Sequence, residues 1–397
     1  MEPEGARSSE NHGPLTGLLV ADFSRILAGP YATMLLGDLG ATVIKVEAPS
    51  GDDTRTWKPP VRGDISTYYL GINRNKRSIV LNLGDDEDRG LAQQLAGRSD
   101  VLLENFKPGQ IARFGLDYET LSQRNPGLVF ASISGFGTRP PGSEMMGYDL
   151  MIQAMSGLMS LTGERDGPAY RAGISVIDII AGLHLSMGIL AALHERANSG
   201  LGQHVEVSLL TSALSGLANH TAAVTMGGVV PFRMGNAHPS LYPYDPFATK
   251  DGELIVIAAN DGQFHSLTTA LGVPQLADDP RFCHNELRTA NRDLLGPILQ
   301  ERLRTKTSDE WFTLLTAVGV PCAPINTVDQ GIAFAKQVGL EPTVLVGDEE
   351  NRLEMIRNPI TFSATPPSYR HPPPALGADG DAVRAWLLGE AELDEPT

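Results

Sequence analysis

Two short apolar runs, LLVADF at 18–23 and ATVIKV at 41–46, flank the segment AGPYATMLLGDLG. That segment carries a proline near its start and glycines at its end, the boundary signals of a helix. Strand, helix, strand in this order commits the chain to a parallel pair joined by a helical crossover, because parallel neighbours cannot be linked by a tight turn. The alternation continues with strands at 78–83, 101–105 and 128–134, the last ending in Gly135-Phe136-Gly137. Helices are expected over 86–97, around 108–125, and over 149–160 and 179–198. QHVEVSLLTSALSGLANH then reads as a short strand running into another apolar helix. The expected fold class is α/β, a large domain built on a parallel sheet with covering helices.

The texture changes after Gly227, where PFRMGNAHPSLYPYDPFAT is loop-like and rich in proline and aromatics. In PFATKDGELIVIA, Lys-Asp-Gly-Glu between two strand-like runs predicts a hairpin. The 397 residues exceed what one small core organises. The expected division is a tail over 1–14, a large domain over 15–234, a smaller α+β domain over 235–330, and a segment over 331–397 that returns to the large domain. The polar, acidic start MEPEGARSSENHGP lacks the basic and apolar regions of a signal peptide and reads as disordered, as does the C-terminal GEAELDEPT. No apolar run approaches the roughly 20 residues of a membrane span. Two cysteines, Cys283 and Cys322, fit no metal spacing and read as buried free thiols in a reducing, cytoplasmic setting. A net charge of −16 argues against nucleic acid but leaves room for a small anion held by local cations.

Several chemistries are excluded by missing motifs. After the first strand the chain reads SRILAGPYATMLLGDLG, without the G-x-G-x-x-G loop that lets a backbone approach a pyrophosphate, so NAD is not expected. No Walker loop, zinc spacing or G-x-S-x-G elbow is present, so no metal is expected either. Of the nine histidines, His184 reads as a satisfied core residue. His238, in the polar GNAHPS loop, is a candidate to line a site. Lys45, Arg55, Arg74, Lys76, Arg77, Lys107 and Arg113 fall near the carboxyl ends of strands or in the loops after them, where open α/β sheets bind ligands. They are either a solvated rim or a group facing a phosphorylated ligand.

The sharpest candidate is Asp178. It opens a helix in which only His184 and Ser186 interrupt apolar and small residues from 179 to 193, so the helix is expected to be buried. Its carboxylate is either an N-cap facing the helix dipole or a reactive group in a closed site.

Longer stretches carry a family resemblance over nearly the whole chain. They are VADFSRILAGPYATMLLGDLGATVIKVE, GDDTRTW, NRNKRSIVLNL, ENFKPGQIARFGLDYETLSQRNPGLVFASISGFG, GYDLMIQAMSGLMSLTG and RAGISVIDIIAGLHLSMGILAALHER. Together they resemble the class III CoA-transferases, the formyl-CoA transferase and carnitine CoA-transferase family. RMGNAHPSLYPYDPFATKDG and ILAGPYATMLLGDLGA bring the chain nearest to its succinyl-CoA:dicarboxylate branch. The resemblance implies an interlocked homodimer, each chain with a Rossmann-like large domain and a small domain, that takes acyl-CoA and a carboxylic acid as substrates. It implies Asp178 as the nucleophile that forms aspartyl anhydride and aspartyl-CoA thioester intermediates. It carries CoA contacts to Ala48, Leu81, Asn82, Leu83, Asn105, Phe106, Arg113, Met146 and Tyr148. Some relatives have a basic residue in place of Ala48 and a lysine in place of Met146, which makes Arg55 or Arg74 candidates to replace lost charge. For the acid, Arg25, Leu27, Arg171 and His238 are the candidates, since a distal carboxylate needs a cation. Two rival readings remain: an α-methylacyl-CoA racemase, which needs a histidine where this chain has Tyr148 and a carboxylate matching Asp261, and a CoA-binding protein without activity.

Overall fold

The structure, a computed structural model, describes residues 13–349 and 352–393. They form two compact units. The larger comprises the residues up to Ser156, Ala172–Met226 and those from Glu341 onward; the smaller comprises Gly157–Arg171 and Gly227–Leu340.

The larger unit is built on six strands: β1 (Leu19–Asp22), β2 (Thr42–Glu47), β3 (Lys76–Val80), β4 (Val101–Glu104), β5 (Val129–Ser134) and β6 (His204–Ser208). Their order is β3-β2-β1-β4-β5-β6, with every neighbouring pair parallel. This is the doubly wound order, whose switch point lies between β1 and β4. Strands covered on both faces read as continuous apolar runs, and Val20, Ala21, Val43, Ile44, Leu102 and Leu103 are all buried. Helix α1 (Ala28–Asp38) buries every residue except Tyr31. Pro30 sits in its first turn, where no intrahelical N–H is lost. Helix α2 (Asp86–Arg98) starts on Asp85, whose side chain accepts from the Glu87 and Asp88 amides.

Two helices differ from their expected bounds for identifiable reasons. The helix expected over 149–160 stops as α3 (Asp149–Met155), because Gly157 turns into the left-handed region at φ 94°. A separate helical turn, Leu158–Leu161, follows within the smaller unit. Helix α4 (Val176–Ser199) has 24 residues and starts earlier than expected. It is therefore long and apolar enough, by length and composition, to cross a membrane, contrary to the sequence reading. Its packing is that of the central helix of an α/β unit: it lies against α1, α3, β5, β6 and α5 (Leu209–Gly216). A Cβ at Gly188 would stand 2.7 Å from Val205 on β6. Its burial is one-sided, however. Ile177, Ala181, Leu185, Ile189 and Ala192 are buried, whereas Leu183 is 46%, Met187 64% and Leu190 39% exposed. An all-round apolar helix thus leaves one stripe uncovered by its own chain.

The C-terminal segment completes the larger unit. Backbone bonds join Asn75 to His371 and Ser368 to Asp38, and helix α10 (Gly380–Leu388) adds Val383 and Leu387 to the sheet core. Leu393 packs against the same core, so the disordered C-terminal tail expected from 389 is not found as far as Leu393; residues 394–397 lie outside the described residues. At the other end, residues 1–12 of the expected tail are also outside them, but Gly13 is packed so closely that a Cβ there would stand 2.2 Å from the Leu39 carbonyl oxygen.

The smaller unit contains an antiparallel sheet of β7 (Tyr244–Ala248), β8 (Glu253–Ile257) and β9 (Cys322–Pro324) in the order β9-β8-β7. The expected hairpin is the β7–β8 pair, with Ala248 opposite Glu253. Helices α6 (Asp261–Ala270), α7 (Arg292–Leu303) and α8 (Ser308–Ala317) share its core, followed by α9 (Val328–Gln337). The unit is wider than the 235–330 reading because Gly157–Arg171 joins it from far upstream. Cys283 and Cys322 are free and half-buried rather than fully buried.

Candidate active site

Asp178 is the third residue of α4, and it does not cap the helix. The N-cap is Ser175, whose side chain makes no capping bond. The cap comes instead from Asp149 on α3. Its Oδ1 accepts from the Ile177 amide at 2.8 Å and the Asp178 amide at 3.2 Å. Gln153, one turn further along α3, fixes the approach to α4 by accepting from the Ala172 amide at 2.8 Å. A carboxylate 29 positions away therefore satisfies the helix-end donors, and the Asp178 carboxylate is left over. Among the described residues nothing hydrogen-bonds that carboxylate. Burial, with the Asp149 charge beside it, pushes the Asp178 carboxyl up to about 7. A carboxyl group poised near neutrality with no hydrogen-bonding partner among the described residues is a candidate reactive group.

Tyr68 is a neighbour that sequence reasoning missed. Its phenol is pushed up by burial; Ser175 is its hydrogen-bonding neighbour, and the Asp178 and Asp149 charges act on it. It lies on the helical turn Thr67–Leu70 and packs edge-to-face on Trp57 with ring centroids 5.3 Å apart. Both rings line an open cleft of about 590 Å³ with Thr56, Pro59 and Pro60. The only signal in the sequence was a pair of aromatics in a turn-rich stretch, which surfaces also carry.

Residues 24–26, between β1 and α1, are held from four directions. The Ser24 amide donates to Asp22 at 3.0 Å, and the Ser24 carbonyl accepts from Lys45 Nζ at 2.9 Å. Asn105 binds both the Arg25 amide, at 3.0 Å, and the Arg25 carbonyl, at 2.8 Å. The Ile26 amide donates to both oxygens of Asp52 at 3.3 Å. Beyond the loop, a Cβ at Gly182 would stand 2.6 Å from the Ala28 carbonyl oxygen, so α1 begins against the face of α4 that carries Asp178 one turn earlier.

Residues 15–380 match the sequence profile of CoA-transferase family III. The chain is 39% identical over 392 residues to a succinate–glutarate CoA-transferase of Agrobacterium fabrum, covering 97% of each chain. It is 39% identical over 375 residues to an acetyl-CoA:oxalate CoA-transferase of Acetobacter aceti, covering 94% of this chain and 95% of that one. Among solved structures, a CaiB/BaiF family protein from Brucella suis superimposes with a TM-score of 0.85 at 42% identity, covering 95% of this chain and all of that one. The chain belongs to CoA-transferase family III. It is an enzyme that transfers CoA.

Within this CoA-transferase the residues expected to touch CoA fall into distinct settings. Ala48 and Asn82 are exposed just beyond the carboxyl ends of β2 and β3. Leu81 is buried, and Leu83 and Phe106 pack against the same core. Arg113 and Lys107 are exposed beyond β4 and enter no ion pair among the described residues. Met146 and Tyr148 are 65% and 53% exposed. Of the acid-binding candidates, Arg25 is exposed and pairs with Asp53 at 3.0 Å, while Leu27 is the buried N-cap of α1. Arg171 is exposed and belongs to the smaller unit, as does His238, whose Nδ1 accepts from the Ser240 amide at 3.0 Å.

Four of the seven cations assigned to a possible ligand face are structural. Lys45 and Lys76 are fully buried against Asp52 and Asp22, at 2.9 and 3.1 Å. Arg55 grips Glu47 through two nitrogens, and Arg74 grips Asp38 in the same way. Both arginines are already engaged by buried carboxylates. The carboxylate needed by a racemase reading is also engaged: Asp261 pairs with Arg288 at 2.9 Å and His284 at 3.0 Å. His184 meets Ser212 at 3.1 Å, a satisfied neighbour within the larger unit. Among the described residues no three of His, Cys, Asp and Glu gather as a metal site.

Proposed function

We propose that this transferase moves CoA from succinyl-CoA to a dicarboxylic acid through covalent intermediates on Asp178. The carrying observation is the Asp178 carboxylate itself: half-buried, capped around rather than capping, and raised to about 7. An Asp178 oxygen attacks the donor thioester carbonyl; the C–S bond breaks, CoA leaves as thiolate, and a succinyl–aspartyl anhydride remains. The thiolate attacks the aspartyl carbonyl, the anhydride C–O bond breaks, and succinate leaves an aspartyl-CoA thioester. The acceptor carboxylate attacks that thioester and expels the thiolate again. Attack of the thiolate on the acceptor carbonyl releases the new acyl-CoA and restores the Asp178 carboxylate. One negative charge is carried through every step, and each activated acyl group is exchanged for another.

The A. fabrum and A. aceti relatives are named for glutarate and oxalate, which share two carboxylates and differ in length. That supports a dicarboxylate acceptor as a class. Arg25 supplies the distal cation in this reading, and Asn105, Phe106 and Arg113 lie along the CoA path. The exposed stripe Leu183, Met187 and Leu190 supports a homodimer, in which a second copy covers α4. Sedimentation of the purified enzyme is expected to give twice the 42.5 kDa chain mass; a monomer would contradict this part of the reading.

The test is a transfer assay with succinyl-CoA and a panel of mono- and dicarboxylic acids. The wild type should form new CoA esters of dicarboxylates, and Asp178→Ala should lose roughly a thousandfold or more in rate, as removal of a covalent nucleophile does. An Asp178→Ala enzyme with full transfer would overturn the mechanism.

A further inference from the structure

Three non-glycine residues have positive φ among the described residues, and one, Ile26 at φ 73°, is β-branched. A β-branched residue in the left-handed region is a true backbone outlier and persists only where its surroundings impose it. Here the imposing group is identifiable. Asp52 accepts the Ile26 amide on both oxygens and is itself buried. It is fixed by Lys45 at 2.9 Å and by the Thr54 amide and hydroxyl at 3.0 and 2.7 Å. Lys45 also holds the Ser24 carbonyl, so one buried ion pair grips both ends of the loop.

The chain leaves this outlier directly into α1. The first bond of that helix runs from the Tyr31 amide to Leu27, which leaves the Ala28 and Gly29 amides outside the ladder. The Ala28 carbonyl rests on Gly182, one turn from Asp178 on the same face. The backbone angle at Ile26 therefore decides where the first turn of α1 stands relative to the nucleophile.

We infer that Asp52, fixed by Lys45, is a positioning residue for the transfer reaction: it holds Ile26 in its left-handed conformation and so sets the first turn of α1 against Asp178. The inference rests on the Asp178 reading above. A buried ion pair is weak evidence for stability alone, and fixing one local conformation is a use suited to it. Donors aimed at a reacting carbonyl act on the transition state, so their displacement should appear in kcat rather than KM.

The experiment compares Asp52→Ala, Asp52→Asn and each combined with Ile26→Gly, using purified full-length enzyme, with Asp178→Ala as reference. Asp52→Ala should lower kcat at least tenfold and leave KM for succinyl-CoA within threefold. Asp52→Asn keeps an acceptor for the Ile26 amide and should lose less. Glycine adopts positive φ without strain, so Ile26→Gly should restore at least a third of the lost kcat in the Asp52→Ala background. If Asp52→Ala does not fold, the same restoration is sought in Asp52→Asn. Unchanged kcat in Asp52→Ala, or a loss that Ile26→Gly does not relieve, overturns the inference. Transfer that survives Asp178→Ala instead overturns the Asp178 reading, and so the two failures are distinguishable.

Discussion

At the carboxyl ends of β1 and β2, Asp22, Glu47 and Asp52 are buried with Lys45 and Lys76 and gripped by the half-buried Arg55; at the start of α4, Asp178 is half-buried with no cation paired to it among the described residues. Burial pushes every one of these carboxyls upward. At Asp22 the two lysines, with hydrogen bonds from Ser24 and Thr33, outweigh it and hold the group at about 2. At Asp178 nothing outweighs it, and the nearby Asp149 adds to it, so the group rests at about 7. The same side chain in the same unit is a fixed strut in one place and, in the proposed reaction, the nucleophile in the other. The difference lies in the partners that the fold supplies.

Three variants sharpen or break this contrast. The largest effect on stability is expected at Asp22. Asp22→Asn leaves Lys76 without its buried counter-ion and should cost about 3–5 kcal/mol in denaturant unfolding at pH 7. The Asp22 carboxyl lies below its unfolded value, so its contribution is present above about pH 4 and is lost as pH falls toward 2.

Asp178→Asn should act in the opposite direction. The native Asp178 carboxyl lies above its unfolded value, so the folded chain holds a proton that the unfolded chain has released between about pH 4 and 7. Stability from this group falls as pH rises through that window. The Asn variant should therefore be more stable than wild type by roughly 1–3 kcal/mol at pH 8 and no different at pH 4, read by thermal melts at both values. A variant that is less stable at pH 8 would mean that Asp178 has a partner.

The smallest effect is on the pH profile. Asp149→Asn keeps an acceptor for the Ile177 amide and removes the charge beside Asp178. The acid limb of kcat/KM, which reports ionisation of the free enzyme, should lie near pH 7 in wild type. It should move down by less than about one unit in Asp149→Asn. A limb that stays in place would assign the raised Asp178 value to burial alone.

The sheet was legible because parallel strands buried on both faces leave apolar runs: LLVADF and ATVIKV mark β1 and β2 without any tertiary information. Lys45 was misplaced for the same reason that its strand was found. A strand's position gives its carboxyl end, but not whether a lysine there meets a ligand or a buried Asp. Asp178 was singled out by its lone charge on an apolar helix, and its role came from family likeness. That it is not a cap depends on Asp149, which reaches α4 only in three dimensions. Tyr68 and the Ile26 conformation left no pattern of their own. The exposed stripe of α4 was hidden because an all-apolar helix reads as buried whichever chain covers it.

The most direct test of the central contrast is to trap the acyl group on the protein. Enzyme incubated with succinyl-CoA is quenched with hydroxylamine, which converts an activated aspartyl carbonyl to a hydroxamate, and the peptides are mapped by mass. A hydroxamate is expected on Asp178, dependent on succinyl-CoA, with Asp22, Asp52 and Asp149 unmodified. A hydroxamate on another carboxylate, or none on Asp178 in an enzyme that turns over, would contradict the Asp178 reading.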